Sequence, residues 1–569
     1  MNGTATWTPD GMNHAVLADE NGAEIVDSGL VLEAAGIEVA GFVHPPLASK
    51  DGRYLAFIAD DGTDWRTVVL YDVEQRDFLQ ERLPTFPTGP VWREDGTLGI
   101  IIDTMPRSLR EQNPPLHSEM GQWSAHKPGE PVSRAVALET IPQEVALSSE
   151  KVGPEIIGVF GGRTYSRIST PLTNVPFVMD SDGQLIGNVG PNRVPEDVAM
   201  HSQWLAIQLQ ADMVDVIDII DLDTSETWTF DPLEHGLPAG ALRNLAFQGG
   251  ELTVVYVPPL GVPQRYSIDP GARAAHVVGS EAELPEDVRV EILHFPGPDG
   301  PLPMKLISNG SRPSGLPGPV LMSVYGGFQI DTSDGGLSPV EQLFVEQGGT
   351  VAVPALRGGM ESLQGLGGQP EDTIIDAVAA ASALIEQGRA RPGADIVISG
   401  SSNGAYTAAL AGLERPDLWA GVISIAGPHD LLSFEQYSFG PGWRSEYGTA
   451  SEASDAHGSV PALPMGQPHF SNFQRERPPI IGRSPYHRAL TATDTPAMLI
   501  ITGGRDSRVD RSHSNKFAAA AQAIEAGRGP VLFASLPTAG HSFVGADDRL
   551  RLDQLIFGFA ADATNLEQP

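Results

Sequence analysis

One serine in this sequence stands where its hydroxyl could act as a nucleophile. Ser402 is the centre of Gly400-Ser401-Ser402-Asn403-Gly404, with the apolar run Ile396-Val397-Ile398 before it and Ala405-Tyr406-Thr407-Ala408-Ala409-Leu410 after it. A Gly-x-Ser-x-Gly pentapeptide between a strand and a helix permits a sharp turn that lifts the hydroxyl above a sheet, within reach of a substrate. Alone, the pentapeptide is a weak signal in a chain with 63 glycines; the apolar run before it and the helix-forming run after it give it weight. A serine hydroxyl is a poor nucleophile at neutral pH and needs an adjacent base, itself held in one tautomer by an acid. Two downstream segments supply them. Residues 497–502 lead into Gly503-Gly504-Arg505-Asp506, and residues 531–536 lead into Pro537-Thr538-Ala539-Gly540-His541. The chemistry such a set performs is acyl transfer through a serine ester, with Ser402 attacking, His541 moving protons and Asp506 orienting His541.

Competing side chains are present. His429 and Asp430 also follow an apolar run, and His457 and His469 sit in a polar stretch; His429 reads more simply as a loop residue, whereas His541 follows the final strand-like run. Asp510 rivals Asp506, although it more naturally caps the helix after it. The elements needed to position the set are legible from residue 286 onward. Residues 320–324, 350–355, 395–399, 421–426, 497–502 and 531–536 read as strands, and the Ala-rich segments 372–387 and 511–526 as helices. Strands alternating with helices imply a mainly parallel sheet covered on both faces. In such a sheet Ser402, Asp506 and His541 fall at one edge, and the order Ser, Asp, His is that of α/β-hydrolases.

Residues 1–285 have a different grammar, with short β-rich runs broken by Gly, Pro, Asn and Asp and no long amphipathic helix. Asp10-Gly11, Asp51-Gly52 and Asp95-Gly96 each precede a β-rich run at intervals of 41 and 44 residues. That interval is expected of a four-stranded propeller blade. Segments 145–160, 201–209 and 245–257 read as corresponding strands of later units, and 69–72 and 216–221 as outer strands. The expectation is a β-propeller of about six blades, five to seven being compatible. A β-sandwich with coincidental Asp-Gly turns is the competing fold.

Composition narrows the partners. The 569 residues exceed what one core usually organises, which suits two domains. A net charge of −36 argues against a nucleic-acid partner. The acidity would suit basic peptides, but it also serves solubility. Cysteine is absent, which excludes disulfides, thiolate metal sites and a cysteine nucleophile. No apolar stretch is long enough for a membrane span, and Met1 to His14 have neither basic leader nor apolar core, giving the expectation of a cytoplasmic protein.

The C-terminal part, over nearly all of residues 286–569, resembles the prolyl oligopeptidase family of serine peptidases. The resemblance is carried by Tyr325-Gly326-Gly327-Phe328, Arg357-Gly358-Gly359, Gly400 to Gly404, Arg415-Pro416-Asp417-Leu418, Trp443 to Gly448, Asp506-Ser507-Arg508-Val509 and Gly540-His541. It implies an oxyanion hole made by the Tyr325 hydroxyl and the Asn403 backbone N–H. It also implies that Trp443 stacks on a substrate proline, that Phe328, Tyr447 and Val509 complete an apolar pocket, and that Arg508 binds a peptide carbonyl. An aromatic-lined pocket selects proline, which has no N–H, by shape and desolvation.

Four features depart from the family pattern. The sequence begins directly in blade-like sequence, the ring is shorter than the family's usual seven blades, Met360-Glu361-Ser362 replaces an aromatic-containing loop, and residues 451–482 form a longer polar stretch that reads equally as a lid or a disordered insertion. The reading is a two-domain peptidase, propeller 1–285 and α/β-hydrolase 286–569, that cleaves short peptides after proline without metal or cofactor; a monomer is compatible with it. The alternatives are the same acyl-enzyme used for leader-peptide removal or macrocyclisation, a dipeptidyl or acyl-aminoacyl peptidase, and a non-catalytic propeller scaffold.

Overall fold

A computed structural model of the chain describes residues 6–9, 15–18, 24–37, 42–43, 46–49, 51–60, 66–85, 91–92, 96–102, 122–131, 136–137, 155–170, 173–187, 193–278, 288–298, 300–310, 316–328, 330, 332, 336–359, 370–437, 440–448 and 480–566. Up to residue 278 they form antiparallel sheets. Three are four-stranded meanders, the first from Glu155–Phe160 to Leu185–Ile186, the second from Arg193–His201 to Thr227–Phe230, the third from Ala241–Gln248 to Ala274–Val277. A nine-stranded sheet spans Phe42 to Ala137, and Thr6–Pro9, Ala15–Ala18 and Glu24–Asp27 form a three-stranded one. A short helix, Ser28–Ala35, begins where the Asp27 carboxylate accepts from the Leu30 amide at 3.0 Å.

Side-chain alternation explains why these sheets stack as propeller blades. On strand Trp204–Ala211, Leu205, Ile207 and Leu209 pack with Tyr165 and Val178 of the preceding sheet, while Ala206 packs with Leu242, Leu252 and Val254 of the following one. The middle sheet thus buries both faces, each against a different neighbour, which a two-layer sandwich does not do. Three strand readings are corrected. Residues 201–209 and 245–257 each contain a hairpin turn, at Ser202-Gln203 and at Gly249-Gly250, so each joins two strands rather than forming one. Residues 216–221 lie third in their meander, one place inside the outermost strand, and residues 69–72 lie inside the nine-stranded sheet, between Tyr54–Asp60 and Asp77–Thr85. Asp10-Gly11 lies outside the described residues, whereas Gly52 and Gly96 occupy left-handed turns before strands as expected.

From Val288 onward the chain forms one eight-stranded sheet in the order Val288–Phe295, Leu302–Asn309, Thr350–Pro354, Val320–Ser323, Ile396–Ser401, Gly421–Ile425, Ala497–Gly503, Val531–Leu536. The first two strands pair antiparallel with their neighbours and the other six run parallel. Period-two alternation gives each central strand two buried faces. Val320, Met322, Ile396, Ile398, Met498 and Ile500 enter one core, together with helices Pro370–Glu386, Asn403–Glu414 and Ser512–Gln522. Leu321, Val397, Ile423, Leu499 and Ile501 enter the other, beneath Pro339–Glu346 and Ala546–Thr564. The antiparallel hairpin 288–309 and these last two helices had no counterpart among the expected elements.

The propeller docks on this second core. Met213 and Leu260 join Leu337, Val340 and Phe344, the Leu337 amide donates to the Pro259 carbonyl at 3.1 Å, and Val290 and Ile292 touch apolar clusters of both parts. Among the described residues no helix is long and apolar enough to cross a membrane.

Two histidines are built into the interior. The His429 ring stacks on Phe517 at 4.5 Å and its Nε2 lies 2.7 Å from the Ser424 hydroxyl, while His513 Nδ1 accepts from the Asp430 amide at 3.0 Å. Burial holds both imidazoles below their ordinary value, His513 at about 4, against the upward pull of Asp430 and Asp510 and with Lys516 adding to the depression. An unfolded chain takes up these protons near pH 6.5 and the folded chain does not. Their contribution to stability is therefore complete above pH 6.5 and lost as pH falls towards 4, on the order of 3 kcal/mol for His513. His513→Asn keeps an acceptor for the Asp430 amide and removes the titration. Urea midpoints between pH 7 and pH 4.5 are expected to fall less in this variant than in the wild type; equal slopes would contradict the assignment.

Candidate active site

The turn at Ser402 follows from close backbone packing. Ser402 has φ 55° and ψ −119°, at the start of helix Asn403–Glu414, and its amide donates to the Ile425 carbonyl of the neighbouring strand at 2.8 Å. A non-glycine residue at positive φ is strained and persists only where its surroundings hold it. The flanking glycines make that possible: a Cβ on Gly400 would stand 2.1 Å from the Gly404 carbonyl oxygen, and one on Gly404 would stand 2.2 Å from that of Val324.

Asp506 and His541 meet across two loops at the same sheet edge. His541 Nδ1 lies 2.9 Å from Asp506 Oδ2, and both side chains are buried. The other carboxylate oxygen, Oδ1, accepts from the Arg508 and Val509 amides at 3.0 and 2.9 Å. A carboxylate facing Nδ1 fixes the proton there and leaves Nε2 as the basic nitrogen. The two loops touch backbone to backbone. Gly504 N donates to Leu536 O at 2.7 Å and Arg505 N to Ala539 O at 2.9 Å, and a Cβ on Gly503 would meet the Ala539 oxygen at 2.6 Å. Asp510 instead accepts from the Ser512 amide at 2.8 Å at the head of the next helix, and His429 is interior; His457 and His469 lie outside the described residues.

Tyr325 follows strand Val320–Ser323, and its hydroxyl lies close to that of Ser402. Burial raises the phenol above its ordinary value, and the Ser402 hydroxyl and the Arg508 charge offset this only in part. The group is therefore a neutral O–H donor at physiological pH. The Tyr325 backbone is clamped from helix Asn403–Glu414, its carbonyl accepting from Asn403 Nδ2 and from the Thr407 hydroxyl, each at 3.0 Å. Asn403 Oδ1 in turn accepts from the Tyr447 hydroxyl at 2.6 Å.

The aromatic residues named for the pocket form one cluster. Phe328 meets Tyr447 edge-on at 5.9 Å, Tyr447 meets Phe434 at 5.9 Å, and Phe434 stacks on the half-buried Trp443 at 6.3 Å. Tyr447 and Val509 are fully buried. Tyr447 thus offers at most its ring, its hydroxyl being committed to Asn403. Several supporting residues had not been singled out for the site: Phe434, Thr407, Thr373, Asp376, Glu371 and Arg483. The Thr373 hydroxyl donates to the Gly326 and Arg357 carbonyls at 2.8 and 2.6 Å, and Asp376 holds the Arg357 guanidinium by two oxygens. Only the position of Arg483 beside Ser484-Pro485-Tyr486-His487 could have drawn notice to it. Residues 360–369 and 451–479 lie outside the described residues, but Ile480–Arg483 forms a buried 3₁₀ turn.

Residues 336–567 match the profile of the Prolyl oligopeptidase family. Over 284 residues the chain is 29% identical to a prolyl endopeptidase of Elizabethkingia miricola, covering 49% of this chain and 37% of that protein. It is 30% identical over 229 residues to a dual function macrocyclase-peptidase of Amanita bisporigera, covering 38% and 28%. The chain thus spans about a third of the length of these relatives. A solved structure from a study of two prolyl endopeptidases superposes over 99% of this chain and 90% of its own, with TM-score 0.75 and 20% identity. A post-proline cleaving enzyme from Rickettsia typhi superposes over 99% and 91%, with TM-score 0.75 and 15% identity, and the two share the architecture of propeller and hydrolase. Residues 336–567 thus match the profile of the Prolyl oligopeptidase family, and the chain as a whole has the propeller-and-hydrolase fold of these solved structures.

Proposed function

We propose that the chain is a serine peptidase that hydrolyses short peptides on the C-terminal side of proline, its propeller 1–285 and hydrolase 286–569 dividing near residue 285. The observation that carries the reading is the pairing of His541 Nδ1 with Asp506 at the sheet edge where Ser402 stands on a positive-φ turn. His541 Nε2 takes the Ser402 proton as Oγ attacks the substrate carbonyl. The Tyr325 hydroxyl and the Asn403 amide donate to the resulting oxyanion. Collapse of the tetrahedral species breaks the C–N bond, His541 protonates the leaving amine, and water attacks the ester by the reverse route. Trp443 and Phe328 bind the proline ring with Tyr447 and Val509 behind them, and Arg508 donates to a carbonyl further towards the substrate N-terminus. The propeller excludes folded proteins from the site.

A second reading is favoured by the likeness to a macrocyclase-peptidase. There the same ester is attacked by the amino group of the substrate itself, forming an amide as Ser402 regains its proton from His541. A peptide-library digest read by mass distinguishes the two, since cyclisation yields a product lighter by one water than the linear acid that hydrolysis of the same bond gives.

A fluorophosphonate probe is expected to label the wild type and not Ser402→Ala; labelling that survives the substitution would remove Ser402 as the nucleophile. Tyr325→Phe is expected to lower kcat about 10²- to 10³-fold with little change in KM, the loss typical of one oxyanion donor; an unchanged kcat would remove Tyr325 from that role. Trp443→Ala is expected to impair a proline peptide more than its alanine analogue, and equal losses would refute the pocket.

A further inference from the structure

Arg483 is 1% exposed, and its position ties three parts of the site together. Its Nη1 donates to the Tyr447 carbonyl at 2.9 Å, and its Nε lies 3.0 Å from Oε1 of Glu371, whose side chain is also buried. Glu371 stands in the first turn of helix Pro370–Glu386, where a carboxylate is favoured by the helix dipole. Two residues on, Thr373 of the same helix holds the Gly326 carbonyl at 2.8 Å. Starting from Arg483, the contacts run through Tyr447 to its hydroxyl, to Asn403 Oδ1 at 2.6 Å, and from Asn403 Nδ2 to the Tyr325 carbonyl at 3.0 Å. The residue whose hydroxyl faces Ser402 is therefore held by two arms, Thr373 and Asn403, and the Glu371–Arg483 pair joins their far ends.

We infer that the buried Arg483–Glu371 ion pair is a positioning device that sets the Tyr325 hydroxyl for the reaction by fixing Tyr447 and, through it, Asn403. The inference rests on the proposed role of Tyr325 as oxyanion donor. Burying an isolated charge pair is costly, and Arg483 is anchored here by a further bond, from Nη1 to the Tyr447 carbonyl. Neither side chain touches the substrate. Their effect is on geometry, where a displacement of about 1 Å costs on the order of a hundredfold in rate.

The test is a kinetic cycle in the full-length protein with Arg483→Met, Tyr447→Phe and the double variant, each first checked for a wild-type melting profile. Arg483→Met is expected to lower kcat on the order of tenfold or more while KM for a proline peptide moves less than threefold. Arg483→Lys, which keeps a charge able to reach one partner, is expected to recover part of the loss. In the double variant the losses are expected not to multiply, because both substitutions release the same Asn403 arm. Overturning results are a folded Arg483→Met with wild-type kcat, a loss confined to KM, or independent losses in the double variant. Should Arg483→Met fail to fold, Tyr447→Phe and Glu371→Gln carry the test: each is expected to lower kcat, and wild-type kcat in both overturns the inference. Failure of the underlying reading looks different, for then Tyr325→Phe keeps the wild-type kcat, or the wild type itself neither cleaves peptides nor reacts with a fluorophosphonate.

Discussion

The constraint on which the site depends is the shared direction of the parallel strands. Strands Val320–Ser323, Ile396–Ser401, Ala497–Gly503 and Val531–Leu536 all end at one edge of the sheet, so the residues that follow them are delivered to one place. Tyr325, Ser402, Asp506 and His541 each lie within a few residues of such an end. Their convergence costs little extra ordering, because burying the two apolar faces of the sheet already fixes the register that places them. What the loops add is fine adjustment through direct backbone bonds, such as Ser402 N to Ile425 O and Arg505 N to Ala539 O.

The surroundings of the site are polar and buried at once, which is an expensive combination. Arg357 with Asp376, and Arg483 with Glu371, place ion pairs beneath the loops that present Tyr325 and Tyr447. Burial raises the Asp376 carboxyl above its usual value in spite of the guanidinium beside it. Pairs of this kind add little net stability, yet removing one partner leaves a buried charge and costs about 3 to 5 kcal/mol. Their return is geometric. A guanidinium that must satisfy a carboxylate and a carbonyl together leaves the loop between them few alternative positions.

Much of this was legible in the sequence, for physical reasons that can be traced. Five of the six parallel strands announce themselves as apolar runs because both of their faces are buried, while Val531–Leu536 at the end of the sheet is apolar though largely exposed; the glycines around Ser402 and before Asp506 mark close backbone approach. The hairpin 288–309 was not legible: Val288-Arg289-Val290-Glu291 alternates like a half-exposed propeller strand, and the strand does lie at the edge of its sheet against the propeller. Residues 245–257 hid a hairpin because its turn is only two residues, Gly249-Gly250, between two β-rich runs. Glu371, Thr373 and Arg483 could not be found by spacing at all, since their partners are 16 to 112 residues away in the chain and meet only in the fold.

The bond from Arg483 Nη1 to the Tyr447 carbonyl also bears on the long polar stretch between them. Tyr447 and Arg483 are its two ends, and the bond closes the base of everything from Gly448 to Gly482. Loop-closure entropy rises only slowly with length, by about 0.6 kcal/mol for each doubling. Closing a stretch of this length at its base therefore costs little more than closing a shorter one. The same buried arginine that bonds to the Tyr447 carbonyl thus holds the two ends of this stretch of chain beside the aromatic cluster.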